Sequence, residues 1–505
     1  MAVLAIDAGT TGVTAAIVNR AGLIVAQGYS EFEQHFEQPG WVEHDPEQIW
    51  QATLVAVRAA LAEFGEASKA ADQQDNKTGI VAVGITNQRE TVVLWHRDTL
   101  AAPRKAIVWQ DRRSAAIVEE FRGLGAEEPV RVLTGLGLDP YFSSTKLTWI
   151  SRNEPTIWSE VVNGKVAVGT IDSYLIARLT GGAVHVTDAS NASRTQLLDI
   201  NLGNWSPELL ELFGVPESAL PKVVPSSGKV GEIATVDLPG LRGIPIAGIA
   251  GDQQAALFGH AAFNLGDTKC TYGTGAFILQ NTGQSPVASK HGLLTTIAWM
   301  LPETDGTLAV TYALEGSVFV AGAAAQWLRD GLQIIDSAED LNPLASAAGD
   351  NGGVVFVPAL TGLGAPHWQP EARGALLGLT RGTSRGNIAQ ATLEGIAFQV
   401  RQVFDLFGSE AGFGCERLSV DGGGSSNDKL MQLQADALAT KVERSQTAQV
   451  TALGAAYLAG LGVGFWASLD ELKQLSRAER AFTPAAFDQA LYQRWCRGVD
   501  LVSGF

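Results

Sequence analysis

Twice in this chain a short turn of glycine and threonine sits between two apolar runs, and the two occurrences stand about half a chain apart. The first runs from Val3-Leu4-Ala5-Ile6 through Ala8-Gly9-Thr10-Thr11-Gly12 to the returning stretch Val13 to Val18. The second runs from Asp267 to Tyr272 through Gly273-Thr274-Gly275 to Ala276 to Gln280. Each reads as strand, tight polar turn and strand. Repetition at this spacing fits two lobes of like construction facing one cleft, although two glycine turns also resemble each other by chance. The length points the same way, because 505 residues exceed what one ordinary core holds. The expected boundary falls near Ala262, giving units 1–261 and 262–505.

Between the two turns lie ordinary α/β elements. Asp45-Pro46-Glu47 opens a helix with a capping aspartate and proline in the first turn, and Ile49, Trp50, Leu54, Val57 and Leu61 follow as its apolar face. Ser68 to Gly79 reads as a polar surface connection before a strand at Ile80 to Ile85. Another strand, Ile244 to Ile249, closes in Ala250-Gly251-Asp252. Farther on, the pattern predicts a helix over Ser317 to Leu328, a strand at Val354 to Pro358 and a long amphipathic helix over Asn387 to Leu406. Asp336 to Asn351 reads as a surface insertion. A strand at Arg417 to Val420 enters Asp421-Gly422-Gly423-Gly424-Ser425-Ser426-Asn427, and a helix follows from Asp428 to Thr440. That strand, glycine turn and helix form the physical context in which a turn can hold a nucleotide.

Composition mostly excludes. The formal net charge is −17 with no cluster of Lys and Arg, so there is no face for duplex nucleic acid or an anionic membrane. Phosphate ligands remain open, since backbone N–H groups bind them without side-chain charge. Cys270, Cys415 and Cys496 have no metal-site spacing and are too few for a disulfide framework, so buried free thiols are expected. The chain enters its first apolar strand without a basic and apolar leader, and no apolar run reaches ~20 residues. A cytoplasmic protein is expected.

Neither a GxxxxGK[ST] phosphate loop nor the HRD and DFG elements of protein kinases occur. If ATP binds, the two Gly/Thr hairpins suit its phosphates through exposed N–H groups and hydroxyls. Asp7 ends the first strand, where a carboxylate suits a hydrated Mg2+ and equally suits capping of the turn. Phosphoryl transfer needs a group that orients and accepts the proton of an attacking hydroxyl. Asp252, at a strand end beside Gln253 and Gln254, is the candidate base; capping of the next helix is compatible with that role. A fourth strand end, Gly84-Ile85-Thr86-Asn87-Gln88-Arg89-Glu90-Thr91, presents an adjacent Arg and Glu. Such a pair suits vicinal hydroxyls of a polyol, and it suits a solvated surface as well.

Several of these stretches resemble one family. Gly84 to Thr91, Pro39 to Pro46, Asp139-Pro140-Tyr141-Phe142, Gly248 to Gly259 and Thr361 to Pro366 resemble the glycerol branch of the FGGY carbohydrate kinases. Segments matching both signatures of the wider family stand at Tyr141 to Asn153 and Gly374 to Glu394. The resemblance implies an α/β fold of two actin-like (ribonuclease H-like) lobes around a deep central cleft. It implies a cytoplasmic homo-oligomer, dimer or tetramer, that uses ATP and Mg2+ to convert glycerol to sn-glycerol 3-phosphate. Arg89, Glu90, Tyr141, Asp252 and Gln253 would hydrogen-bond glycerol, with Trp109 and Phe277 against its carbon chain. Asp252 would be the base and, with Asp7, would hold the metal. Thr10, Thr11, Gly12, Thr274 and Gly275 would line the phosphates, Gly322 and Gln326 would face the nucleotide, and Gly423 and Asn427 would flank the adenosine. A ketose or gluconate kinase is not expected to carry Asn87 to Glu90 with Trp109 and Tyr141. An actin-like switch protein would need neither Asp252 nor the Arg89–Glu90 pair.

Two departures stand out. The branch usually has Gln-Gly-Thr-Thr-Ser-Ser-Arg after the first aspartate, where this chain has Ala8-Gly9-Thr10-Thr11-Gly12-Val13-Thr14, so a phosphate-facing arginine is replaced by Thr14. Gly231 to Gly243 holds Arg242, Glu232 and Asp237 and no His, so neither a basic fructose 1,6-bisphosphate loop nor a phosphorylatable histidine is expected there.

Overall fold

The computed structural model describes residues 1–70, 79–303 and 305–503. Its first sheet is built from β1 (Ala2–Ala8), β2 (Gly12–Asn19), β3 (Ile24–Glu31), β4 (Ile80–Asn87), β5 (Ser227–Glu232) and β6 (Pro245–Gly251), in the order β5-β6-β4-β1-β2-β3. β1 runs antiparallel to β2 and parallel to β4, and β4 is parallel to β6. Helix α1 (Pro46–Ala70) covers one face. Its start is fixed by Asp45, whose Oδ1 accepts the N–H of Glu47 at 2.8 Å, and its Ile49, Trp50, Leu54 and Val57 join the core beneath β1 and β4. Helix α2 (Ser143–Asn153) lies in the segment between β4 and β5, and α3 (Asp252–Gly259) starts where β6 ends.

The second sheet repeats the plan. It contains β7 (Thr268–Tyr272), β8 (Ala276–Gly283), β9 (Leu294–Pro302), β10 (Leu308–Val318), β11 (Arg417–Asp421), β12 (Lys441–Ser445) and β13 (Ala478–Phe482), in the order β9-β10-β8-β7-β11-β12-β13. Again the first two strands form an antiparallel hairpin, and the first pairs in parallel with a later strand, β11, which pairs in parallel with β12. The duplicated hairpins of the sequence therefore head two sheets of matching strand order, the arrangement of actin-like, ribonuclease H-like lobes. Helices α4 (Gly322–Gln326), α5 (Leu341–Ala348), α6 (Arg385–Ala411), α7 (Asp428–Leu438) and α8 (Val450–Gly462) lie in this half, with two further helices over Leu469–Leu475 and Gln489–Ser503.

α8 belongs to the second half in sequence but packs on β1, β4 and β6 of the first sheet, beside α3. Val3, Ala5, Ala255, Leu257, Leu279, Trp299 and Ala455 form one apolar cluster across both sheets and both helices. The approach is close enough to need glycine: a Cβ on Gly84 would sit 2.1 Å from the carbonyl oxygen of Ala455, and one on Gly454 would sit 1.8 Å from that of Ala255. Gly84, the first residue of the stretch carrying Arg89 and Glu90, is thus a packing requirement.

Some expectations change. The segment expected as one helix over Ser317 to Leu328 begins as the end of β10, and α4 starts at Gly322. The dense small residues had a different cause, since the chain must turn tightly against the β7–β8 hairpin. Asp336 to Asn351, expected as a surface insertion, holds α5, which packs on α6 and buries Leu341 and Ala345. Of the thiols, Cys270 is buried but Cys415 and Cys496 are half-buried. The polar connection expected from Ser68 to Gly79 falls mainly on 71–78, outside the described residues. No helix among the described residues is long and apolar enough to cross a membrane.

Candidate functional site

In a parallel-stranded sheet, ligands collect at the carboxyl ends of the strands, because loops diverge there. Asp7 ends β1, Arg89 and Glu90 follow β4, and Asp252 follows β6, so three parallel strands bring them to one place. Arg89 Nε lies 3.1 Å from Asp252 Oδ1, and Arg89 Nη2 donates to the Tyr141 hydroxyl at 3.5 Å. Tyr141 sits just before α2. Across this group, the Trp109 ring stands edge-on to Tyr141 at 5.5 Å and to Phe277 of β8 at 6.3 Å, while its Nε1 donates to Thr10 Oγ1 at 3.0 Å. The result is a cluster with charge on one side and aromatic edges on another, with Phe277 contributed by the second half of the chain.

Two residues that sequence reasoning missed hold the charged side. Glu315 of β10 accepts from Arg89 through both oxygens, at 2.5 and 2.8 Å, and also from Arg194 at 3.2 Å. Arg194 in turn donates to Glu90 Oε1 at 2.7 Å. All four are buried, and Arg194 and Glu315 have no solvent exposure. Burial pushes the Glu315 carboxyl up, but Arg194 and Arg89 outweigh it and hold the group down at about 2. Glu90 goes the other way: burial raises it above the ordinary glutamate value despite Arg194 and Arg89. Burial also raises the Tyr141 hydroxyl, keeping it a neutral donor. Glu90 adopts a left-handed φ of 63°, a conformation that costs a non-glycine residue of order 1–3 kcal/mol and persists where surroundings enforce it. The available signal for Glu315 was a charge inside a largely apolar run, which a fold tolerates only when it is paired, whereas Arg194 lies among polar residues (Ser190 to Gln196) and carried no such signal.

Gln88 and Thr91, in the same stretch, are engaged by the protein itself, and Thr91 Oγ1 also accepts from the N–H of Trp109 at 3.2 Å. Gln88 Nε2 donates to the Gly9 carbonyl at 3.0 Å and its Oε1 accepts from Thr91 at 2.8 Å, tying the β4 end to the first glycine turn. Burial, reinforced by the carboxylate of Asp252, raises the Asp7 carboxyl to about 7. Two carboxylates that repel one another in a cleft are relieved by a divalent cation. Hard oxygen donors few in number, leaving room for water, fit Mg2+. Among the described residues there is no cluster of three or more His, Cys, Asp or Glu that would suit a fully protein-ligated ion. Thr14 stands directly opposite Asp7 in the β1–β2 register and so shares its face.

The second hairpin opens on a cavity of about 490 Å3 whose lining includes Thr274, Gly322, Gln326, Gly423 and Asn427, along with Leu393, Ile396 and Leu430. That volume suits a nucleotide-sized ligand. α5 contributes Leu341 and Asn342 to the wall, which explains why the segment is packed. Several of these small residues are required by packing as well. A Cβ on Gly275 would meet the Val318 carbonyl at 2.3 Å, and one on Gly322 would meet that of Gly273 at 2.6 Å. Asn427 caps α7, its Oδ1 accepting from the N–H of Leu430 at 3.0 Å. Thr10 and Thr11 are at the cleft surface, and Gly12 is buried against Ser30 and Tyr29.

Comparison with known proteins covers nearly the whole chain. The model of the FGGY family of carbohydrate kinases matches with its N-terminal domain over residues 2–259 and its C-terminal domain over 268–463. A glycerol kinase of Bordetella parapertussis is 49% identical over 506 residues, covering 100% of this chain and 97% of its own. One from Dechloromonas aromatica is 51% identical over 501 residues, covering 99% and 97%. Among solved structures, Plasmodium falciparum glycerol kinase with ADP superposes with a TM-score of 0.89 at 36% identity, covering 99% of this chain and 98% of that one. A xylulose kinase from Rhodospirillum rubrum superposes at 0.81 with 26% identity, covering 100% and 98%.

Proposed function

The chain belongs to the FGGY family of carbohydrate kinases, and from that membership we infer that it is a glycerol kinase. It transfers the γ-phosphoryl group of ATP to glycerol, giving sn-glycerol 3-phosphate and ADP. The observation that carries the reading is Asp252, at the end of β6 and 3.1 Å from Arg89, in a chain about half identical to glycerol kinases throughout its length.

Glycerol is neutral and small, so its recognition depends on fixed donors and acceptors. Arg89 and Tyr141 supply donors, Glu90 and Asp252 supply acceptors, and Gln253 supplies an amide; Trp109 and Phe277 cover the carbon chain. Asp252 takes the proton of the attacking hydroxyl as its oxygen bonds to the γ-phosphorus, and the bridging oxygen departs with ADP. Asp7 and Asp252 would hold Mg2+, which supplies charge neutralisation on the phosphates. Thr10, Thr11 and Gly12 on one side and Thr274 and Gly275 on the other flank the phosphates. The cavity beyond, with Gly322, Gln326, Gly423 and Asn427, takes the nucleoside. Closure of the two halves, divided near Ala262, excludes water from the transfer. A cytoplasmic dimer or tetramer, insensitive to fructose 1,6-bisphosphate, completes the reading.

The test is ADP release over glycerol, dihydroxyacetone, xylulose, ribulose and gluconate. Glycerol is expected to stimulate far above the ATPase background and ahead of the others. No stimulation by glycerol, or preference for a ketose or gluconate, would overturn the substrate.

A further inference from the structure

Lys269 in β7 has no solvent exposure, yet it points across the cleft floor at the first half of the chain. Its ammonium donates to the side-chain oxygen of Gln253 and, at 3.0 Å, to Thr271 Oγ1. Burial holds the Lys269 ammonium below the ordinary lysine pKa, although the carboxylates of Asp421 and Asp252 act to keep its charge. Gln253 in turn donates twice to Asp252: its backbone N–H to Oδ1 at 2.7 Å, and its Nε2 to Oδ2 at 3.2 Å.

A carboxamide can present either end, because its oxygen and nitrogen are nearly the same size. An ammonium carries three donors and no acceptor, so the atom set against it must be the oxygen. The NH2 end is thereby turned toward Asp252. We propose that Lys269 is a positioning residue for phosphoryl transfer, fixing the amide of Gln253 so that its NH2 group faces Asp252 and the substrate hydroxyl.

The proposal rests on the glycerol kinase reading, in which Gln253 and Asp252 share a glycerol hydroxyl. That hydroxyl has one proton and two lone pairs. Facing an NH2 and a carboxylate, it accepts from the first and gives its proton to the second, the direction in which Asp252 removes it. Were the amide reversed, two acceptors would compete for one proton, and glycerol would be held less tightly and in the wrong orientation. The sequence shows why nothing else in the strand does this: Cys270 and Tyr272 alternate to the other face, and Thr271 serves as the second partner of the ammonium.

The test is glycerol binding by calorimetry without nucleotide, on full-length variants whose folding is checked by thermal melting. Lys269→Met and Gln253→Leu are each expected to weaken binding about tenfold, the value of one well-placed hydrogen bond. Their combination is expected to be no weaker than either, because both remove the same donor. Should Lys269→Met fail to fold, Lys269→Gln keeps a polar group of similar length but lets the amide face either way, and it is expected to lose about threefold to tenfold with the same non-additivity. Binding by Lys269→Met within about twofold of wild type, or losses that multiply to about a hundredfold in the double variant, would overturn the proposal. Failure of the underlying reading looks different: wild-type protein itself would bind no glycerol.

Discussion

The two ends of the cleft are made of opposite materials. The end proposed for the polyol is ionic and buried: Arg89, Glu90, Arg194 and Glu315 form a continuous network drawn from both halves of the chain. The end proposed for the nucleotide is a cavity of about 490 Å3 lined mostly by glycines, small residues, aliphatic side chains and amides, with Arg329 and Glu339 as its charged members. The difference follows the ligands. Glycerol offers hydroxyls that differ little from water, so discrimination must come from donors and acceptors that cannot move. ATP brings its own charge and a broad aromatic base, so a shaped cavity and backbone amides suffice. One end should therefore be sensitive to single polar substitutions and the other tolerant of them.

The largest effect belongs to the charged end. Asp252→Asn keeps the size of the side chain and removes the proton acceptor, and kcat is expected to fall by ~10²–10⁴. Steady-state kinetics with glycerol and ATP both varied will show the loss in kcat; near-normal turnover would remove Asp252 from the base role.

Next comes Glu315→Gln. It leaves the guanidinium groups of Arg89 and Arg194 facing a neutral partner, and breaking a buried pair costs ~3–5 kcal/mol. Chemical denaturation should register the loss, and KM for glycerol should rise as Arg89 loses its anchor. The pH dependence has a definite sign. The folded Glu315 carboxyl is depressed to about 2 from the ordinary 4.5, so its stabilisation is present above 4.5 and is lost as pH falls from there toward 2. The gap in stability between wild type and Glu315→Gln should be full at neutral pH and narrow below 4.5; a gap that does not change with pH would exclude the ion pairs as its source.

How far sequence alone reached depended on the kind of residue. Strand ends were legible, because apolar runs closing on Asp7, Asp252 and Asp421 announce themselves, and the hairpin pair announced two sheets. Resemblance then picked out Arg89, Glu90 and Tyr141. Glu315, Arg194 and Lys269 were not legible, because each lies far in sequence from the group it holds and works only through tertiary contact. Glycines misled in a different way. Gly84, Gly275 and Gly322 read as ligand-facing or motif residues, yet each lies where a Cβ would strike a carbonyl oxygen. Composition could not separate those two causes. The helix expected over Ser317 to Leu328 went wrong for the same reason, since its small residues serve a tight approach of chain to chain.

Gly454 separates the frame from both ends of the cleft. A methyl group there would press on the Ala255 carbonyl between α3 and α8, and Gly454→Ala is expected to cost ~1–3 kcal/mol through overpacking. KM for glycerol and for ATP should both stay near wild type in the surviving folded fraction. A selective rise in one of them would mean that the α3–α8 seam reports to that end of the cleft.

The smallest expected effect probes the end that tolerates most. Thr14 faces the same side as Asp7, at the place where the related branch carries an arginine, and the nucleotide end has no such cation in this hairpin. If backbone amides already do most of the phosphate binding, Thr14→Arg adds one charged donor to a working site. KM for ATP should then fall by about threefold to tenfold, in line with ~1 kcal/mol from a charge-assisted contact partly offset by ordering of the side chain. Glycerol KM should not move. A rise in KM for ATP would instead mean that the new guanidinium pairs with Asp7 and competes with the metal, so that threonine at this position protects the carboxylate.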